Sequence, residues 1–127
     1  CYIDINHFKK VNDRFGHNVG DDLLKNVAKR IQKNTNYSAY RIGGDEFVIL
    51  VDEDVEEGRY QQFKENIDQA FARQVRCLDQ KLHITVSLGF ARYPEDSQDV
   101  QQVISLADQR MYADKEIKHK LAMDKKE

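Results

Sequence analysis

The chain has 127 residues, of which 40% are hydrophobic and 33% charged, with a formal net charge of −2. That length suits one domain around one core, and the balance is that of an ordinary soluble globular protein. There is no basic field to draw nucleic acid, no apolar run near the ~20 residues that cross a bilayer, and no secretory leader pattern. Cys1 and Cys77 form neither a metal-type pair nor a disulfide framework, so a reducing, cytoplasmic setting is expected.

Cys1–Asn6 is β-rich and starts without a cap or turn, as though an upstream element were missing. Phe8, Val11 and Phe15 give one or two helical turns, broken by Gly16. From Gly20 a helix is marked by Leu23, Leu24, Val27, Ala28 and Ile31 on one face. Asp21 and Asp22 are expected in its first turn, where carboxylates suit the helix dipole, and Asn34-Thr35-Asn36 ends it. Two strands, Ser38–Ile42 and Glu46–Val51, flank Gly43-Gly44-Asp45, a hairpin signal because glycine takes positive φ freely.

A second helix is expected from about Val55, carrying Tyr60, Phe63, Ile67, Ala70 and Phe71. His83–Ala91 alternates, with Ile84, Val86, Leu88 and Phe90 facing one way, and reads as a half-buried strand. After a loop at Pro94 and Ser97, a third helix presents Val100, Val103, Ile104, Ala107 and Met111 as its buried face. The lysine-rich stretch from Lys118 reads as a fraying tail. The order β-α-β-β-α-β-α predicts an α+β fold, a mostly antiparallel sheet with helices on one face in the ferredoxin-like pattern.

Asp4 and Asn6 share a face of the first strand, and Asp45 and Glu46 sit at the hairpin tip. If these elements are neighbours, the carboxylates converge on one sheet edge, a hard-oxygen set suited to Mg²⁺. A lone turn carboxylate is ordinarily only solvated. Gly43-Gly44 would let a ribose or phosphate approach the backbone, though any tight turn needs small residues. Lys9, Lys10 and Arg41 are candidate phosphate partners, while His7 and His17 lack zinc-site spacing.

The run Gly43-Gly44-Asp45-Glu46-Phe47 resembles the motif that names the GGDEF family of bacterial diguanylate cyclases. Asp4-Ile5-Asn6-His7-Phe8-Lys9 is similar to that family's D-x-D-x-F-K strand. Asn12-Asp13, Gly16-His17 and Gly20-Asp21 are similar to its N-D, G-H and G-D pairs. Thr85–Gly89 and the series Ala107-Asp108, Met111-Tyr112 and Lys115 follow in the family's order. The likeness covers nearly the whole chain. It implies a palm-type, nucleotidyl cyclase-like fold lacking the family's N-terminal D-x-L-T-x-L-x-N-R helix.

The resemblance also implies a reaction: two GTP molecules joined into cyclic di-GMP by attack of a 3′-hydroxyl on an α-phosphate. Asp4, the Ile5 carbonyl and Asp45 would hold two Mg²⁺ or Mn²⁺ ions, and Asp45 or Glu46 would take the proton. Asn12, His17 and Asp21 would contact the nucleotide, with Phe8, Lys9 and Lys115 near the triphosphate. A carboxylate at Asp21 can accept from guanine N1–H and its 2-amino group, donors that adenine lacks. A homodimer would bring two GTP-bearing sites together, governed by an upstream sensory domain in a parent protein that membrane anchoring would also suit. The alternative is a catalytically inactive module that binds GTP as a regulatory sensor.

Three departures from the family pattern bear on this. Asn6 stands where a second Asp is common. Asn34 and Tyr37 occupy the places of the Arg-x-x-Asp product-inhibition motif, so no such site is expected. Ile117-Lys118-His119-Lys120 follows Lys115 in place of a Gly-Arg-Asn segment, leaving His119 or a lysine for the arginine's role.

Overall fold

Period-two alternation in the first strand decides the layering. In β1 (Tyr2–Ile5), Ile3 and Ile5 point into one core and Tyr2 into another, and all four residues are buried. The computed structural model describes residues 1–51 and 57–124. They form α1 (Phe8–Phe15), α2 (His17–Thr35), the hairpin β2 (Ala39–Gly43) and β3 (Glu46–Ile49), and α3 (Glu57–Ala70). A small hairpin, β4 (Val75–Cys77) and β5 (Gln80–Leu82), then precedes β6 (Val86–Gly89) and α4 (Val100–Asp124). The main sheet has the order β2-β3-β1-β6, and every pair in it is antiparallel. That is the predicted α+β, ferredoxin-like sheet.

The expectation that all helices lie on one face is corrected. Val11, Leu23, Val27, Ile31, Ile67 and Phe71, from α1, α2 and the α3 region, pack with Ile3, Ile5 and Ile49 in the large core. Tyr2 and Val48, from the opposite face of the sheet, meet Ala107 and Met111 of α4 instead. This second layer explains why β6 is buried on both faces rather than half-buried. Burying a single Ile is worth about 1.5–3 kcal/mol, so the larger cluster supplies most of the driving force.

Helix boundaries shift for local reasons. α2 begins at His17 rather than Gly20, because buried Val19 extends its apolar stripe. Asp21 and Asp22 therefore lie in the second turn, and the first turn holds no acid. A dipole role fades beyond the first turn; Asp22 instead accepts the Leu78 N–H at 3.0 Å, tying the β4–β5 turn to α2. The expected start of α3 near Val55 falls outside the described residues.

On α4, Ala107 and Met111 are buried as predicted, but Val100 and Ile104 are exposed. The helix backbone docks closely on β6, so only a narrow stripe is covered. Nor does α4 fray at Lys118, whose ammonium reaches Asp68 at 2.7 Å, Asp114 at 3.3 Å and the Val86 carbonyl.

Asp114 is the polar clamp of this layer. It is 5% exposed, accepts the Leu88 N–H at 2.9 Å and pairs with Lys64 at 2.7 Å. Burial pushes its carboxyl up, but the bonds from Lys64 and Leu88 and the charge of Lys118 outweigh this and hold it below the usual range. A depressed folded value contributes stability above the unfolded value of about 4. Asp114→Asn is therefore expected to cost about 3 kcal/mol at neutral pH. In denaturant melts the gap from wild type should narrow as pH falls through the folded value, and a pH-independent gap would contradict the ion-pair account.

Candidate active site

The β1–β3 pairing brings the first-strand acid and the hairpin acids together. Asp4 stands opposite Glu46 on one side and Ser87 on the other. The turn between β2 and β3 is built on Gly43 and Gly44, with φ of 157° and 49°, and the Arg41 Nε–H donates to the Gly44 carbonyl at 2.9 Å. Arg41 is thus engaged in shaping the turn. The Asp45 carbonyl accepts the Ile5 N–H at 3.1 Å, folding the hairpin tip onto the end of β1.

Asp4 is consequently crowded. It is 4% exposed, Oδ2 takes a 2.7 Å bond from the Lys115 ammonium, and Oδ1 is buried with no partner among the described residues. Burial and the nearby Asp45 carboxyl raise its pKa to about 6, against the pull of Lys115. Lys115 is itself raised: burial lowers it, but Asp4 and Asp45 prevail.

The resemblance implies a divalent metal here. Among the described residues no group of three or more His, Cys, Asp or Glu side chains is arranged around one point. Two neighbouring carboxylates, one with an orphaned buried oxygen, are nonetheless an excess of hard anionic donors. Mg²⁺ needs only one or two protein carboxylates when waters and phosphates complete its shell. The residues fit.

Glu46 is held differently. The Tyr2 hydroxyl donates to its Oε2 at 2.6 Å, and burial, followed by that carboxylate, pushes the phenol pKa well up. Sequence reasoning missed Tyr2: strand periodicity puts it on the face of Asp4, but the partner strand is not legible locally. Asn6 is engaged at both ends of its amide, donating to Thr85 Oγ1 at 2.9 Å and accepting from Ser87 Oγ at 2.8 Å. It bridges β1 to the β6 side.

The nucleotide candidates are spread over α1 and α2. Asp21 is on the exposed rim of a cleft of about 420 Å³ between α2 and the hairpin, lined also by Lys25, Ala39, Arg41 and Phe47. Asn12 lies against Gly20, one residue before Asp21. His17, the first residue of α2, is exposed, as is Lys9 on α1. Phe8 is half-buried against the large core, where it anchors the start of α1.

A larger cleft of about 790 Å³ is bordered by His7, Lys10, Arg14, Lys115 and His119. The His119 ring sits 6.0 Å from that of His7. Of the altered segment, both Lys118 and His119 line this cleft beside Lys115, with Lys118 also paired to Asp68 and Asp114. His7 itself has φ 61°, a left-handed corner between β1 and α1 that no turn residue in the sequence signals. At the positions of the product-inhibition motif, the Asn34 amide is spent on the Arg30 carbonyl and the Tyr37 ring packs near Phe63.

No helix among the described residues is long and apolar enough to cross a membrane. The family model "Diguanylate cyclase, GGDEF domain" matches residues 1–120. The signaling protein YkoW of Bacillus subtilis is 39% identical over 118 residues, covering 91% of this chain and 15% of that protein. Diguanylate cyclase A of Treponema denticola is 31% identical over 117 residues, covering 90% of this chain and 31% of its own length. The chain spans about a third or less of these curated relatives. Among solved structures, the GGDEF domain of YfiN (TpbB) from Pseudomonas aeruginosa superposes with a TM-score of 0.83 at 31% identity, covering 91% of this chain and 73% of that one. The GGDEF domain of DgcB from Caulobacter crescentus, solved with c-di-GMP, gives 0.74 at 33% identity, covering 91% and 70%. With the motif on the hairpin tip and Asp4 beside it, this chain belongs to the GGDEF-domain family of diguanylate cyclases.

Proposed function

We propose that the chain condenses two GTP molecules into cyclic di-GMP with release of pyrophosphate. The observation that carries this reading is that the β1–β3 pairing seats Asp4 beside the hairpin tip bearing Asp45, with the Asp4 Oδ1 left unpartnered. Asp4, Asp45 and the Ile5 carbonyl would hold two Mg²⁺ or Mn²⁺ ions. Such ions lower the pKa of an attacking hydroxyl and neutralise charge on the leaving group. Lys115, now on Asp4, is within the same cluster to meet triphosphate oxygens, and Gly43-Gly44 leave the turn backbone open to the substrate. Glu46 is oriented by the Tyr2 hydroxyl, and this supports Glu46 as acceptor of the 3′-proton.

Asp21 and Asn12 read the guanine edge, with His17, Phe8 and Lys9 placed along the same two helices. Each chain binds one GTP, so a two-fold homodimer brings the reacting nucleotides face to face. The far greater length of the relatives supports further domains that control this pairing. No product-inhibition site of the Arg-x-x-Asp type is expected, because Asn34 and Tyr37 supply neither its guanidinium nor its carboxylate.

The test is formation of the cyclic dinucleotide and pyrophosphate from GTP with Mg²⁺ or Mn²⁺. GTP binding without turnover would favour the regulatory-sensor reading, which draws on the charge missing at Asn6. For base choice, Asp21→Ala is expected to weaken GTP binding on the order of a hundredfold while ATP binding changes little. Equal losses by calorimetry would remove Asp21 from base recognition.

A further inference from the structure

We propose that Gly20 is a positioning residue for nucleotide recognition: its missing side chain is the seat of the Asn12 carboxamide. Gly20 is buried inside α2, and its φ is not positive-handed like that of Gly16, Gly43 or Gly44. Conformation therefore does not require glycine there, and glycine in a helix interior is destabilising relative to alanine. Space does require it. A Cβ at Gly20 would lie 1.8 Å from Asn12 Oδ1, 2.9 Å from its Cγ and 3.5 Å from its Nδ2. The three nearest atoms all belong to that one amide, and none is backbone.

The two backbones are meanwhile fixed. The Gly16 N–H donates to the Asn12 carbonyl at 2.9 Å, and the Gly20 N–H donates to the Gly16 carbonyl at 3.2 Å. With the α1–α2 corner so held, the Asn12 side chain is the part free to yield. The bare Cα of Gly20 lets a residue of α1 lay its amide on α2, immediately beside Asp21. A methyl group there would rotate the amide away and leave the helix intact. This rests on the reading that Asn12 contacts the bound nucleotide.

The experiment compares Gly20→Ala, Asn12→Ala and the double variant by GTP calorimetry and thermal melting of the full chain. Gly20→Ala should melt no lower than wild type yet bind GTP about tenfold more weakly, by loss of a hydrogen-bonding partner. In the Asn12→Ala background the glycine substitution should have no further effect on affinity. Undiminished GTP affinity in Gly20→Ala, with affinity lost in Asn12→Ala, would overturn the positioning role while sparing the nucleotide contact. Undiminished affinity in Asn12→Ala would overturn both. If Gly20→Ala melts low, recovery of the melting temperature in the double variant supports the amide as the displaced group, and no recovery overturns it.

Discussion

Asp45→Ala is expected to reduce cyclic di-GMP formation on the order of a thousandfold or more while leaving the fold in place. The hairpin is tied to β1 by the Asp45 backbone, whose carbonyl accepts the Ile5 N–H, so the side chain is dispensable for folding. What the substitution removes is one of two neighbouring carboxylates. Charge stabilisation from bound divalent metal is worth several kcal/mol; a loss of about 4 kcal/mol corresponds to roughly a thousandfold in rate. The guanine contacts proposed for Asn12 and Asp21 lie on other elements, so GTP affinity measured without metal should change little. The metal-dependent gain in affinity should disappear. Turnover within tenfold of wild type, at saturating Mg²⁺, would remove Asp45 from the metal-holding role.

Much of the site's chemistry was legible because it is local. Gly43-Gly44-Asp45-Glu46-Phe47 is a contiguous turn, and alternation alone places Asp4 and Asn6 on one face. The juxtaposition of Asp4 with Asp45 was conditional on strand order, which periodicity does not encode; the antiparallel pairing of β1 with β3 supplies it. The same is true of Tyr2 and Glu46, forty-four positions apart, and of Lys115 on Asp4. Elements failed where the local signal was short or ambiguous. Three-residue strands such as Val75–Cys77 carry too little alternation to recognise. The burial of both faces of Val86–Gly89 depends on a helix that arrives later in the chain. The helix marked from Gly20 in fact starts at His17, since polar His17 and Asn18 give no apolar signal and only buried Val19 extends the stripe; Gly20 is an interior residue kept small by a neighbour on α1.

Gly89→Ala should be the most destabilising single-methyl change in the sheet, for a reason opposite to that at Gly20. A Cβ at Gly89 would lie 2.0 Å from the Ala107 carbonyl oxygen and 2.2 Å from the Met111 nitrogen. Both are main-chain atoms of α4, so no rotamer change relieves the overlap and the helix must move as a body. Overpacking of this kind costs about 3 kcal/mol, a melting-temperature drop on the order of 10 °C for a domain of this size. The movement would propagate, because α4 also carries Met111 into the second core, Asp114 onto β6 and Lys115 onto Asp4. Catalysis should therefore fall along with stability, and both should suffer more in Gly89→Val. A Gly89→Ala chain that melts as wild type would mean that α4 does not rest on the sheet at this distance. The route by which Lys115 reaches the carboxylates would then have to be different.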